Sequence, residues 1–158
     1  MKISHLKNKK LSMVDISKKS NTKREARARS TILFRKNSYK FLRKEGSKKG
    51  EIFNVARTAG ILAGKKTSEL IPLCHNINLS SIEIKFDTND NESKIDVFSI
   101  VKTKSNTGVE MEALTACLVA ALTVYDMCKS IDKNIQIIDT RLILKSGGKS
   151  GVFSNDYI

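Results

Sequence analysis

The hydrophobic period of this chain switches along its length, and the order of the switches limits what it can fold into. From Arg24 to Arg35, Ala26, Ala28, Ser30, Ile32 and Phe34 share one face, while Arg27, Arg29, Thr31 and Arg35 fall mostly on the other. A period of two predicts a half-buried strand. Ile52, Val55, Ala56, Ala59, Leu62 and Ala63 then recur at steps of three and four, predicting an amphipathic helix that ends before Pro72, the only proline. Gly60 and Gly64 lie four apart on that helix, where glycine costs stability, so another backbone is expected to approach there. Ile82, Ile84 and Phe86 alternate with Glu83 and Lys85. The polar turn Thr88 to Ser93 then leads into Lys94 to Thr103, predicting a β-hairpin. Gly108 to Ile131 is nearly apolar all round, as expected of a buried helix, and residues 135–145 read as a last strand before the glycine-rich tail Ser146 to Gly151. The order β-α-β-β-α-β predicts an α+β, ferredoxin-like sandwich, an antiparallel sheet with both helices packed on one face. Residues 36–49 read as a basic loop, and residues 1–20, without sustained periodicity, as a flexible start.

Composition removes several classes. At 158 residues with 40% apolar side chains, the chain is expected to bury roughly 68–70% of its unfolded surface, enough for one core without staples. Cys74, Cys117 and Cys128 are an odd set with no close spacing, which argues against a disulfide scaffold or a zinc ribbon and for a reducing cytoplasm. The longest charge-free stretches, Leu70 to Ile82 and Ala113 to Tyr125, are short for a bilayer core of about 30 Å, so no membrane span is expected. No apolar run follows the basic residues at the start, so no secretory signal is expected. Charge is distributed unevenly: residues 1–50 hold 17 Lys and Arg against three acids, a balance of +14, while the remainder is close to neutral. Such a front end suits a polyanion (nucleic acid, nucleotide polyphosphate or acidic surface) or is simply a solvated Lys-rich segment.

Some polar residues exceed what the fold requires. Thr107-Gly108 can cap the apolar helix, and Glu110 and Glu112 fall in its first turn, where the helix dipole favours carboxylates. Two positions on a helix are about 200° apart, so at least one glutamate is expected to point at something specific. Asp126 and Lys129, three apart, can pair on one face, and their apolar neighbours predict partial desolvation. His75 follows Pro72-Leu73-Cys74 in a short helix-to-strand connection, a place where catalytic groups are often displayed, although lone histidines are more often structural. Cys74 beside His75 can be read as a nucleophile and base, but no third orienting group accompanies them, and a packed thiol is the commoner reading. Two histidines and three scattered cysteines give no metal-ligand spacing. Lys145 to Gly151 invites a phosphate-loop reading, but Ile143 stands where that motif needs glycine.

Several ordered segments carry a family resemblance: Met13-Val14-Asp15-Ile16-Ser17, Thr22 through Ala28, Lys49-Gly50, Ala56 through Ile61, Thr67 through His75, Thr107 through Thr115, Tyr125 through Lys129, and Lys145 through Gly151. On these, the chain resembles the cyclic pyranopterin monophosphate synthase (MoaC) family of molybdenum cofactor biosynthesis over residues 13–153. Ser30 stands where the family usually has glycine, and Asn76 where proline commonly follows the histidine. The resemblance implies a flexible basic arm at 1–12 before a single synthase domain at 13–158.

It also implies a lyase that converts 3′,8-cyclo-7,8-dihydroguanosine 5′-triphosphate, supplied by a radical-SAM GTP cyclase, to cyclic pyranopterin monophosphate with release of pyrophosphate. The family's active-site aspartate falls on Asp126 and its essential lysines on Lys49 and Lys129. Its substrate contacts fall on Leu73, Cys74, His75, Met111 and Glu112, with Glu110 and Lys145 lining the pocket and Arg24 a further cation for the phosphates. No cofactor is implied beyond Mg2+ accompanying the triphosphate, and no protein metal site. The implied assembly is a cytoplasmic homohexamer, a trimer of dimers. A small RNA-binding module is the alternative, resting on the basic front end and on a ferredoxin-like sheet of the kind that can support RNA recognition, although with no Trp, and with Phe86 and Phe98 the only aromatics of the predicted hairpin, its stacking surface is thin.

Overall fold

The computed structural model describes residues 5–7, 10–44, 46–149 and 151–155, leaving the side chains of residues 6, 7 and 46–49 undescribed. The elements run β1 (Leu6–Lys7), β2 (Lys10–Leu11), β3 (Thr22–Leu33), α1 (Lys36–Lys44), α2 (Gly46–Lys65), α3 (Thr67–Leu70), β4 (Ser81–Asn89), β5 (Lys94–Ser105), α4 (Glu110–Cys128), β6 (Gln136–Ser146) and β7 (Phe153–Ser154). The main sheet is antiparallel throughout, in the order β4-β5-β3-β6-β7. The α+β class and the sheet with helices on one face are as expected. The edge strand β7, the helices α1 and α3 and the β1-β2 pair are additions to the β-α-β-β-α-β pattern.

The alternation in β3 has the consequence read from it. Ala26, Ala28, Ser30 and Ile32 are buried beneath α4, as are Ile95, Val97, Ser99 and Val101 of β5, which pairs with β3 along its whole length. Helix α4 is pinned to β5 by two side chains: Ser99 Oγ donates to the Ala113 carbonyl at 2.7 Å, and Cys117 Sγ to the Val97 carbonyl at 3.2 Å. The close approach expected at the glycines also occurs. A Cβ on Gly60 would lie 2.7 Å from the Ala116 carbonyl oxygen, and one on Gly64 would lie 3.5 Å from that of Glu112. Small residues are what let α2 lie against α4.

Three expectations need correction. The described residues of 36–49 are not a loop: 36–44 form α1 and 46–49 the start of α2. Tyr39 and Leu42, three apart, are 2% and 3% exposed, and the Tyr39 hydroxyl donates to Asp90 at 2.8 Å. One buried pair among so many lysines leaves too weak a period to read. Helix α4 is capped by Val109 without a side-chain hydrogen bond, not by Thr107-Gly108. A Cβ at Gly108 would collide with the Glu110 carboxylate, so this glycine makes room for that side chain. Nor is α4 buried all round: Leu118 and Leu122 are 44% and 54% exposed along its outer face. The expectation of no membrane span is not overturned, although α4 is long and apolar enough to cross one by length and composition. Within this fold it serves as the core helix, with Ala113, Ala116, Ala120, Ala121 and Val124 fully covered.

Candidate active site

Pro72 shapes the connection that carries His75. The residue before a proline is pushed out of the helical region, and Ile71 at the end of α3 is extended, with φ −111 and ψ 106. The chain then folds back, the Cys74 amide donating to the Ile71 carbonyl at 3.0 Å. This turn brings Leu73, Cys74 and His75 against the first turn of α4. Together with Glu110, Met111 and Glu112 they line a cavity of about 270 Å³. Six of the site residues read from the sequence are therefore neighbours.

Glu112 is 4% exposed, and its carboxyl is pushed up to about 7, chiefly by burial and further by the charge of Glu110. A carboxyl titrating near neutrality can both give and take a proton in one catalytic cycle. Burial and the neighbouring Glu112 raise the Cys74 thiol, so it stands as a thiol rather than a thiolate, which disfavours the nucleophile reading. His75 Nε2 lies 2.8 Å from the Val14 carbonyl. A carbonyl only accepts, so Nε2 carries a proton and Nδ1 is the position free to exchange one with a ligand.

A second cavity, of about 500 Å³, adjoins the first and is lined by Arg24, Lys145 and Lys149. Thr107, Gly108, Glu110 and Lys19 line both. Arg24 holds the wall in place: Nε donates to the Ser105 carbonyl at 2.9 Å and Nη2 to that of Asn106 at 3.2 Å. Lys145 Nζ stands 3.9 Å from Glu110 Oε1, linking the two cavities electrostatically. Gly147 and Gly148 have φ of +92 and +74, and a Cβ on either would strike Lys23 or Arg24. Their role is thus to bring the tail against β3 so that Lys145 and Lys149 face the cavity.

Of the remaining predicted residues, Asp126 and Lys129 lie away from both cavities. The Lys49 side chain falls outside the described residues. Asp126 and Lys129 pair at 2.6 Å at the far end of α4, and the hydrogen bond that the Lys129 ammonium donates to the Asp126 carboxylate holds that ammonium above its usual range. Their side chains are 63% and 59% exposed, so the expected desolvation is absent within one chain, because Met127 and Ile131 beside them are exposed as well. Sixteen residues at 1.5 Å each put Asp126 about 24 Å along the helix from Glu110. Lys19, Lys149 and the Val14 carbonyl were not among the predicted site residues. Among the described residues no group of three His, Cys, Asp or Glu is placed to hold a metal ion.

Two carboxyls, two imidazoles (His75 and His5, the latter not among the predicted site residues) and a thiol in one cavity, opening onto a second lined by cations, define the class: an α+β protein built to hold an anionic small molecule and to move protons on it. More particularly, the chain belongs to the MoaC family, whose profile residues 13–148 match. It is 50% identical over 139 residues to a protein of Heliobacterium modesticaldum, covering 88% of this chain and 87% of that one. It is 45% identical over 157 residues to one of Thermoanaerobacter pseudethanolicus, covering 99% of each. With a Bordetella avium protein it shares 46% over 155 residues, 98% and 96% of the two chains. All three relatives are named cyclic pyranopterin monophosphate synthase.

Proposed function

We propose that this chain is a cyclic pyranopterin monophosphate synthase: a lyase that rearranges 3′,8-cyclo-7,8-dihydroguanosine 5′-triphosphate and expels pyrophosphate, early in molybdenum cofactor biosynthesis. The observation that carries this reading is the pair of joined cavities, one with acid and base groups and one basic, in a chain of this family. The ring system to be opened and reclosed occupies the first cavity, where Glu112 and His75 exchange protons with it. The triphosphate lies in the second, where Arg24, Lys145 and Lys149 offset its charge and that of the departing pyrophosphate. Mg2+ enters only as a counter-ion of the phosphates, and no other cofactor is required.

Lys49 belongs to the proposed catalytic set, and Asp126 and Lys129 complete it from a second copy of the chain, since about 24 Å of helix separates Asp126 from Glu110 in the same copy. The apolar outer face of α4, with Met111, Leu118 and Leu122, supports burial against other copies, and the assembly proposed is a homohexamer built as a trimer of dimers. The enzyme is cytoplasmic, without a membrane partner, and takes its substrate from a radical-SAM GTP cyclase. The RNA reading loses support, because Phe86 stacks on Phe53 at 4.4 Å under the Arg57 guanidinium and is not a free stacking platform. The deciding experiment is purified protein with the cyclised nucleotide in a pyrophosphate-release assay. Release that Asp126→Asn abolishes is the expected result; no release, or release indifferent to that substitution, overturns the reading.

A further inference from the structure

The segment between β2 and β3 contains no periodic pattern, yet it runs along the candidate site. Asp15 Oδ1 accepts from the Ser17 amide at 2.9 Å, and the Lys19 amide donates to the Ile16 carbonyl at 3.0 Å, so residues 15–19 form consecutive tight turns. Two side chains of the body donate into this segment's backbone: His75 to the Val14 carbonyl at 2.8 Å and Asn106 to that of Ile16 at 3.5 Å. These bonds set Lys19 at the boundary of the two cavities. Of the four residues that line both, Thr107, Gly108 and Glu110 bear no positive charge, so Lys19 is the cation of that boundary among the described residues.

We propose that Lys19 is a substrate-binding residue that grips the phosphate nearest the nucleoside. The inference rests on the nucleotide reading above: with the ring system in one cavity and the phosphate chain in the other, the first phosphate lies where they meet. Arg24 has two of its nitrogens engaged with carbonyls, and Lys145 faces Glu110, so both serve the cavity wall as well as the ligand. Lys19 is exposed and presents a flexible ammonium to the junction. The turn that carries it is attached to His75, so the same contact arranges the imidazole and the lysine.

The test uses the full-length protein with two readouts. One is the KM for the cyclised nucleotide; the other is the affinity for inorganic tripolyphosphate by calorimetry, which needs no turnover. Lys19→Ala should raise both constants about tenfold with an unchanged thermal midpoint. Lys18→Ala, one residue away and lining neither cavity, should leave both as in the native chain, and Lys19→Arg should restore most of the affinity. Lys19→Gln, which keeps the length of the stem, replaces the alanine variant if that one unfolds. Equal behaviour of the Lys18 and Lys19 variants overturns the inference, as does a native protein that does not bind tripolyphosphate. Native protein that binds it through Lys19 yet releases no pyrophosphate from the nucleotide sinks the proposed reaction while upholding Lys19 as a phosphate ligand.

Discussion

His75 and Val14 are joined by a 2.8 Å hydrogen bond from the imidazole Nε2 to the backbone carbonyl, across 61 positions of sequence. The bond sets the tautomer of the one histidine in the candidate site connection and attaches the front segment to the body of the fold. Removing the ring therefore acts on both. His75→Ala should lower pyrophosphate release and also speed trypsin cleavage after Lys18 and Lys19. A variant that loses activity while those sites are cut at the native rate would show that the contact does not hold the segment.

Glu112 predicts a pH dependence with a definite sign. Its carboxyl moves from 4.5 to about 7 on folding, so between those values the folded state keeps a proton that the unfolded state has released. Stability then falls as pH rises through that window and levels off above it. Glu112→Gln removes the fall. In urea titrations the variant should gain on the native chain by up to about 3 kcal/mol at pH 8, and by little at pH 4.5. Its activity should drop despite the gain, because the proton-exchanging group is gone.

The two glycines of α2 should respond unequally to alanine. At Gly60 the added methyl meets the Ala116 carbonyl at 2.7 Å and Ala120 Cβ at 3.0 Å, neither of which can move without shifting α4. At Gly64 the nearest atom, at 2.9 Å, is the tip of the Ile82 side chain, which can rotate away. Gly60→Ala should cost about 1–3 kcal/mol, outweighing the gain in helix propensity. Gly64→Ala should cost less, and thermal denaturation of the two variants orders them.

If Asp126 and Glu112 act on one substrate from two copies, inactive variants should rescue each other. Asp126→Asn and Glu112→Gln proteins, unfolded together and refolded as a mixture, should regain part of the pyrophosphate release that neither shows alone. No regain in mixed oligomers would mean that one copy supplies the whole site. Asp126→Asn should also keep the native thermal midpoint, since an exposed ion pair contributes little to stability.

The outer face of α4 gives a test of assembly. Leu122→Glu places a charge on a side chain 54% exposed in the single chain, so the fold should persist by circular dichroism. In a face covered by another copy the same charge has no partner, and burying it is costly. Size-exclusion chromatography with light scattering should show a smaller species, and activity should fall with it.

Local order was legible because it repeats over a few residues. The inward face of β3, the hairpin of β4 and β5, the long helices and the tight glycines of α2 all follow from spacings within one element. Helix α1 escaped notice because Tyr39 and Leu42 are its only buried residues in a lysine-rich stretch, and a single pair makes no period. The site divides the same way. The acid and base residues around Cys74 and Glu112 were recognisable from motifs, whereas Lys19 and the Val14 carbonyl were not.

What the sequence by itself determined was which faces are apolar and which residue types are available for chemistry. Tertiary structure alone decided which of them meet. Arg24 reaches Ser105 across 81 positions and His75 reaches Val14 across 61. Both bonds end on backbone carbonyls, which every residue possesses and no side-chain pattern marks. Burial decided the rest: Glu110 and Glu112 are the same residue type two positions apart, and it is the desolvation of Glu112 beneath the Cys74 connection that sets its carboxyl near neutrality.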